Sequence, residues 1–206
     1  SRRFYSPETA LKACQQVKLH GFSLGVQTML GLPGDTLSKS LRTAETLILQ
    51  QPDMVRIYPT LVIRETELEN RYLSGQYQPL TLNEAVSWCS EIVPEYEAAG
   101  IRVLRIGLHH SENMEIGAQV VAGPVHPAFG ELVYSEIWRK KIIHQLSKAK
   151  ENGQKLIIHV QASDVSKVIG QNRKNINYLK QAYGFTSIKV LGDLKNPNSC
   201  HLEFQG

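Results

Sequence analysis

The stretch Gly25–Thr36, GVQTMLGLPGDT, constrains the fold of this chain more than any other. Phe22, Leu24, Val26, Thr28 and Leu30 alternate with smaller or polar residues, which is the period-2 pattern of a strand. A Gly-Pro-Gly turn ends that strand, and Asp35 or Thr36 caps a helix running to about Gln50. The motif is flanked by more of the same grammar. Ser6-Pro7-Glu8 opens an earlier helix that Gly21 stops. Pro52-Asp53 turns the chain into a second strand, Met54–Tyr58, which ends in VRIYPTLVIRET. A short helical piece lies near Glu67–Leu73. Thr81-x-x-Glu84 is a capping box for a helix reaching Ala99, with Pro94 expected to kink or split it. Gly100 ends that helix before a third strand, Ile101–Gly107. Strands alternating with helices predict a parallel sheet joined by crossover helices.

Residues 108–130 are rich in Gly, Pro and His without a period and are expected to form a long ordered loop. Glu131–Lys150 predicts an amphipathic helix, broken by Asn152-Gly153. A compact unit follows: strand Leu156–Val160, helix Asp164–Ile169, a turn at Gly170–Lys174, helix Asn175–Tyr183 and strand Ser187–Leu191. Residues from about Asn196 are expected to fray. The division predicted is therefore 1–110, a connecting loop and helix over 111–150, a basic unit over 151–195, and a tail over 196–206.

Charge separates these regions. Residues 1–138 hold 11 Lys/Arg against 15 Asp/Glu, and residues 139–206 hold 12 against 4. Net charges of −4 and +8 point to a C-terminal region that meets a polyanion; solvated lysines account for the same excess equally well. No apolar run approaches the ~20 residues that span a bilayer. The opening SRRFYSPET has no apolar core of a signal peptide. Cys14, Cys89 and Cys200 are scattered, with no CxxC and no zinc spacing, so a metal-free cytoplasmic chain is expected.

A glycine turn after a strand lets backbone N–H groups and a helix N-terminus approach a ligand closely. LGLPGDT lacks the dinucleotide spacing GxGxxG and has no Walker lysine. Taken alone it fits a plain tight turn as well as a ligand site.

LGLPGDT, then VRIYPTLVIRET, then the LNEAVSWCSEIVP helix and the VLRIGL strand resemble the radical S-adenosylmethionine (radical SAM) superfamily over about residues 5–135. The similarity is to the branch containing the catalytic elongator subunit and the oxygen-independent coproporphyrinogen oxidases. It implies an α/β fold whose first domain is the C-terminal half of a partial, TIM-like (β/α)6 barrel. It implies S-adenosylmethionine as cofactor, cleaved to a deoxyadenosyl radical by a 4Fe-4S cluster on a CxxxCxxC loop. By this resemblance Gly31, Leu32, Pro33 and Gly34 lie against the adenosine. Gln27 reaches the ribose, and Tyr58 and Pro59 line the adenine side. Polar-interior and packing roles account equally for Gln27 and Tyr58. Thr66 matches the family's Gly-Thr, but Glu65 stands where the glycine belongs. There is no CxxxCxxC in the chain, so the expectation is a C-terminal fragment, inactive alone, whose partner is the missing N-terminal half.

His109, His110 and His126 cluster in the loop, and His126, between Pro-Val and Pro, is the one candidate for acid/base work. Surface or hydrogen-bonded histidines are the plainer reading. In the basic region, VIGQNRKNI resembles the VIGxxGxxI core of KH domains, with Arg173 in place of the second glycine. That resemblance implies RNA binding through Lys167, Gly170, Asn172, Arg173, Lys174 and Lys180; a small α/β cap packed by Val168, Ile169, Ile176 and Leu179 is the alternative. The readings open at this point are part of a radical SAM enzyme modifying tRNA, a non-catalytic RNA-binding protein with a degenerate half barrel, and a coproporphyrinogen-oxidase-like enzyme with a small-molecule substrate.

Overall fold

A computed structural model describes residues 6–108, 117–149 and 153–206. The chain divides into two compact units, Ser1–Gly130 and Glu131–Gly206.

In the first unit, helix α1 (Pro7–Leu19) starts where Ser6 accepts the Thr9 N–H. Strands β1 (Gly25–Leu30), β2 (Met54–Pro59) and β4 (Arg102–Ile106) form a parallel sheet in the order β1-β2-β4. Helices α2 (Leu37–Ile48) and α4 (Leu82–Ala98) provide the crossovers. Every second strand residue is buried: Val26, Thr28 and Leu30 on β1, then Val55 and Ile57 on β2. Helices α2 and α4 pack together and onto the strands, bringing in Ala44, Ala85, Cys89, Ile92, Val93 and Tyr96. Fully burying a side chain of this size contributes about 1.5–3 kcal/mol, so this face holds the unit together. The other face, with Gly25, Gln27, Met29, Arg56 and Arg105, is exposed.

Pro94 does not split α4, which is continuous from its Thr81–Glu84 capping box to Ala98. The segment expected as an irregular loop contains β5 (Val120–Ala122), antiparallel to the short β3 (Val62–Ile63). Two or three residues per strand leave no readable period. His109 and His110 lie outside the described residues. Helix α3 (Glu67–Leu73) follows β3.

In the second unit, strand β6 (Lys155–Gln161) is central. It runs parallel to β7 (Ser187–Leu194) and antiparallel to β8 (Cys200–Gln205). Between β6 and β7 lie α6 (Val165–Ile169), a 3-10 turn over Gln171–Arg173, and α7 (Lys174–Tyr183). Trp138 and Ile142 of α5 (Phe129–Lys148) join Leu156, Ile158, Val160, Val168, Ile176 and Leu179 in the core. The terminal residues do not fray: β8 pairs with β6 along its length. Cys200, Leu202 and Phe204 alternate inward against that core. The pairing lies about 40 residues away in sequence (His159 with His201), so local composition carries little sign of it.

Candidate functional site

The Gly31–Gly34 loop is held by one carboxylate and one phenol. Asp35 accepts the Gly31 N–H (2.9 Å), the Thr36 N–H (2.8 Å) and the Ser40 hydroxyl (2.8 Å). Tyr77 donates its hydroxyl to the Gly31 carbonyl at 2.6 Å. Burial, with the Asp35 charge second, pushes the Tyr77 phenol up to about 12, so it stays a donor. Thr36 caps α2 by accepting the Lys39 N–H. Thus Asp35 ties the turn and Thr36 starts the helix.

The two glycines of the motif have different causes. Both take positive φ, +74° at Gly31 and +76° at Gly34. A Cβ on Gly31 would meet Leu80 at 2.8 Å, so that glycine is required by packing. A Cβ on Gly34 would meet nothing within 4 Å. Beside it a groove of about 370 Å³ is lined by Gln27, Leu32, Pro33, Gly34 and, from α2, Lys39, Ser40 and Thr43.

The two strand ends stand side by side, with Met29 opposite Tyr58 and Leu30 opposite Pro59. Thr60 locks them by donating its hydroxyl (2.7 Å) and its N–H (2.8 Å) to the Leu30 carbonyl. Gln27 is on the exposed face and half-buried Tyr58 shares it; Pro59 is buried on the other side. The sequence reading missed a row on the exposed face: Gln27 stands opposite Arg56, and Arg56 opposite Arg105. Like charges opposite one another disfavour pairing, and neither guanidinium has an ion pair among the described residues. Alternation along β2 and β4 was the signal that could have found them.

Glu65 adopts φ +62°, the conformation a glycine would take freely. Its N–H donates to Glu69 at 2.6 Å, and Thr66 caps α3. His126 accepts the Ala128 N–H on Nδ1 at 3.1 Å, a turn-stabilising contact. The cysteine donor set does not fit a cluster. Cys14 is on α1, Cys89 is buried in α4 and Cys200 opens β8. Burial pushes the Cys89 thiol to about 12 and the Cys200 thiol to about 11, away from the thiolate a metal needs.

In the second unit, Gly170 (φ +73°) is required by packing, since a Cβ would meet Ser135 Oγ at 2.7 Å. Buried Asn175 donates to the Ser135 carbonyl (2.8 Å) and hydroxyl (3.0 Å). Asn172 and Arg173 are both left-handed, at φ 50° and 60°. Arg173 and Lys174 project from this turn, exposed. Lys167 is committed elsewhere, paired with buried Asp164 at 2.7 Å. Lys180 donates to the Thr186 carbonyl at 3.0 Å. Of the six residues expected to act together, Gly170, Asn172, Arg173 and Lys174 share the turn, while Lys167 and Lys180 are each bonded within the unit.

Residues 52–139 match the radical SAM C-terminal domain family. The chain is similar to the tRNA uridine(34) acetyltransferases of Methanocaldococcus infernus and Methanocaldococcus jannaschii. It is 30% identical to each over 159 residues, covering 74% of this chain and 28% of each relative. Among solved structures it is similar to the archaeal Methanocaldococcus infernus Elp3 with an N-terminal deletion. That likeness has a TM-score of 0.54 and 28% identity, over 68% of this chain and 32% of that one. The chain spans little more than a quarter of the length of those curated relatives.

Proposed function

The chain carries a radical SAM C-terminal domain and is homologous to the tRNA uridine(34) acetyltransferases of that superfamily, and from that premise we propose that it supplies the back half of an S-adenosylmethionine-binding barrel to a tRNA-modifying reaction. One observation carries the reading: the strand that leads into the Gly31–Gly34 turn pairs in parallel with the strand ending at Tyr58–Pro59, Met29 opposite Tyr58 and Leu30 opposite Pro59, as neighbouring walls of one nucleoside site would. Space at Gly34 admits a ligand close to the backbone. The Gln27 amide suits ribose hydroxyls, and the Tyr58 ring suits a purine face. Arg56 and Arg105 offer guanidinium groups to a carboxylate or phosphate on the same face.

In radical SAM enzymes a 4Fe-4S cluster supplies the electron that cleaves the cofactor. The three cysteines here do not form its donor set, and we assign no step of that chemistry to this chain. Its part is to bind and orient the nucleoside, with Asp35 and Tyr77 fixing the loop. In the KH-like second unit, Arg173 and Lys174 with Asn172 hold the RNA backbone, on a turn whose shape Gly170 sets.

The test is equilibrium binding of S-adenosylmethionine to the 206-residue chain, with hydrogen exchange at residues 31–36. Saturable binding that slows exchange there, weakened about tenfold or more by Gln27→Ala or Tyr58→Ala, is expected; a tenfold loss corresponds to about 1.4 kcal/mol. Binding that both substitutions leave unchanged refutes the assignment. No 5′-deoxyadenosine is expected from this chain alone under reducing conditions, and its formation refutes the division of labour.

A further inference from the structure

One exposed aromatic in the second unit sits where a nucleobase would stack. Helix α7 buries Asn175, Ile176 and Leu179 and turns Lys174, Asn177, Tyr178 and Gln181 to solvent. Tyr178 is 42% exposed. The Arg139 guanidinium lies over its ring, 4.8 Å from the centroid. Arg139 is held in place by Glu136, whose carboxylate takes its Nη2 at 2.6 Å. Lys174 is one turn before Tyr178 on the same helix face, and Arg173 precedes Lys174.

We infer that Tyr178 and Arg139 form a stacking platform for an unpaired base of RNA, with Arg173 and Lys174 taking the flanking phosphates. An aromatic ring with a guanidinium on one side and solvent on the other can accept a base by stacking. A base inside a duplex offers no free face to such a ring, so the platform selects single strands. Charge favours a polyanion over a protein partner. Residues 131–206 carry 12 Lys/Arg against 6 Asp/Glu. The acidic residue beside the platform, Glu136, is already engaged with Arg139. Lys167 takes no part, because Asp164 holds it. The inference rests on the proposed RNA-binding role of this unit and specifies what that unit reads.

The experiment compares the 206-residue chain with Tyr178→Ala, Tyr178→Phe and Arg139→Ala. Probes are a labelled ten-nucleotide single-stranded RNA, the same strand in a duplex, and a tRNA, each at several salt concentrations. Tyr178→Ala is expected to weaken single-strand binding about 5- to 150-fold, while Tyr178→Phe binds like the parent. Arg173→Ala and Lys174→Ala are each expected to lower the slope of log affinity against log salt by about one. Because Tyr178 is exposed, circular dichroism and urea midpoints should show Tyr178→Ala folded; Tyr178→Leu provides a second apolar replacement without an aromatic face. Single-strand binding that Tyr178→Ala and Tyr178→Leu both leave intact overturns the platform and spares the RNA-binding role. Equal affinity for the duplex also overturns it. Failure of the parent chain to bind any of the three RNAs overturns both and turns this face over to a protein partner.

Discussion

Replacing Asp35 by alanine should unfasten the Gly31–Gly34 turn. The carboxylate accepts three hydrogen bonds, and they are not of equal weight. Thr36 is exposed, so water replaces its partner at little cost. Ser40 is buried but helical, and its hydroxyl can turn to the carbonyl one turn back. Gly31 is buried, and its N–H has no second acceptor within the turn. A charge-assisted bond contributes about 1.5–3 kcal/mol, and a buried donor left unpaired costs about 1–3 kcal/mol. These overlap rather than add, giving about 2–4 kcal/mol for Asp35→Ala. Asn at this position should lose less, because its carbonyl oxygen can still accept the Gly31 N–H and the Ser40 hydroxyl while its amide nitrogen faces only the exposed Thr36 N–H. Ser40→Ala, the control, should cost about 1 kcal/mol or less. Urea denaturation reads the totals, and hydrogen exchange of the Gly31 amide reads the local event. With the Asp35 charge gone, the Tyr77 phenol should titrate below about 12 while burial still holds it above its ordinary 10. An Asp35→Ala protein within 0.5 kcal/mol of the parent, with Gly31 exchange unchanged, refutes this account of the turn.

The backbone at Glu65 and Arg173 predicts stabilising substitutions. Glycine at either left-handed position removes about 1–2 kcal/mol of strain and returns part of it as unfolded-chain entropy, a net gain of about 0.5–1 kcal/mol. Arg173→Gly should therefore raise the urea midpoint while weakening RNA binding, and a fall in stability would contradict the strain. His159 Nδ1 lies 2.8 Å from Asp193 and Nε2 lies 3.2 Å from Glu203, so both bonds form only on the imidazolium. Asp193 foremost, with Glu203, holds the His159 pKa above its usual value against partial burial. The stabilisation is then complete below about pH 6.5, the unfolded value, and is lost as pH rises through the raised folded value. Glu203 is lowered, first by Gln205 and then by His159, so its share is lost as pH falls through its depressed value. Urea midpoints should peak between about pH 5 and 6.5, and His159→Gln should remove the alkaline decline; a decline that persists in His159→Gln assigns it to other groups.

What could be read from the sequence was local. Helix starts at Ser6 and Thr81 and the alternation of β1 need only neighbouring residues; both helix starts stand where the pattern put them, and the alternation holds from Leu24 to Leu30 but not at exposed Phe22, which precedes the strand. Side-chain commitments that depend on which groups are buried could not be read. Lys167 looked like one of a basic cluster, yet Asp164 is buried three residues away and takes it. Gly170 looked like a glycine left open for a nucleic-acid backbone, yet Ser135 of α5, 35 residues earlier, fills the space a Cβ would need. Gly34, by contrast, has the same sign of φ as Gly31 and no neighbour. A motif glycine can be required by the fold or by what the fold leaves room for, and only the packing around it tells which. By that measure Gly31 and Gly170 are architectural. Gly34, which shares a groove with Gln27, is the one of these three motif glycines at which close approach by a ligand is sterically open.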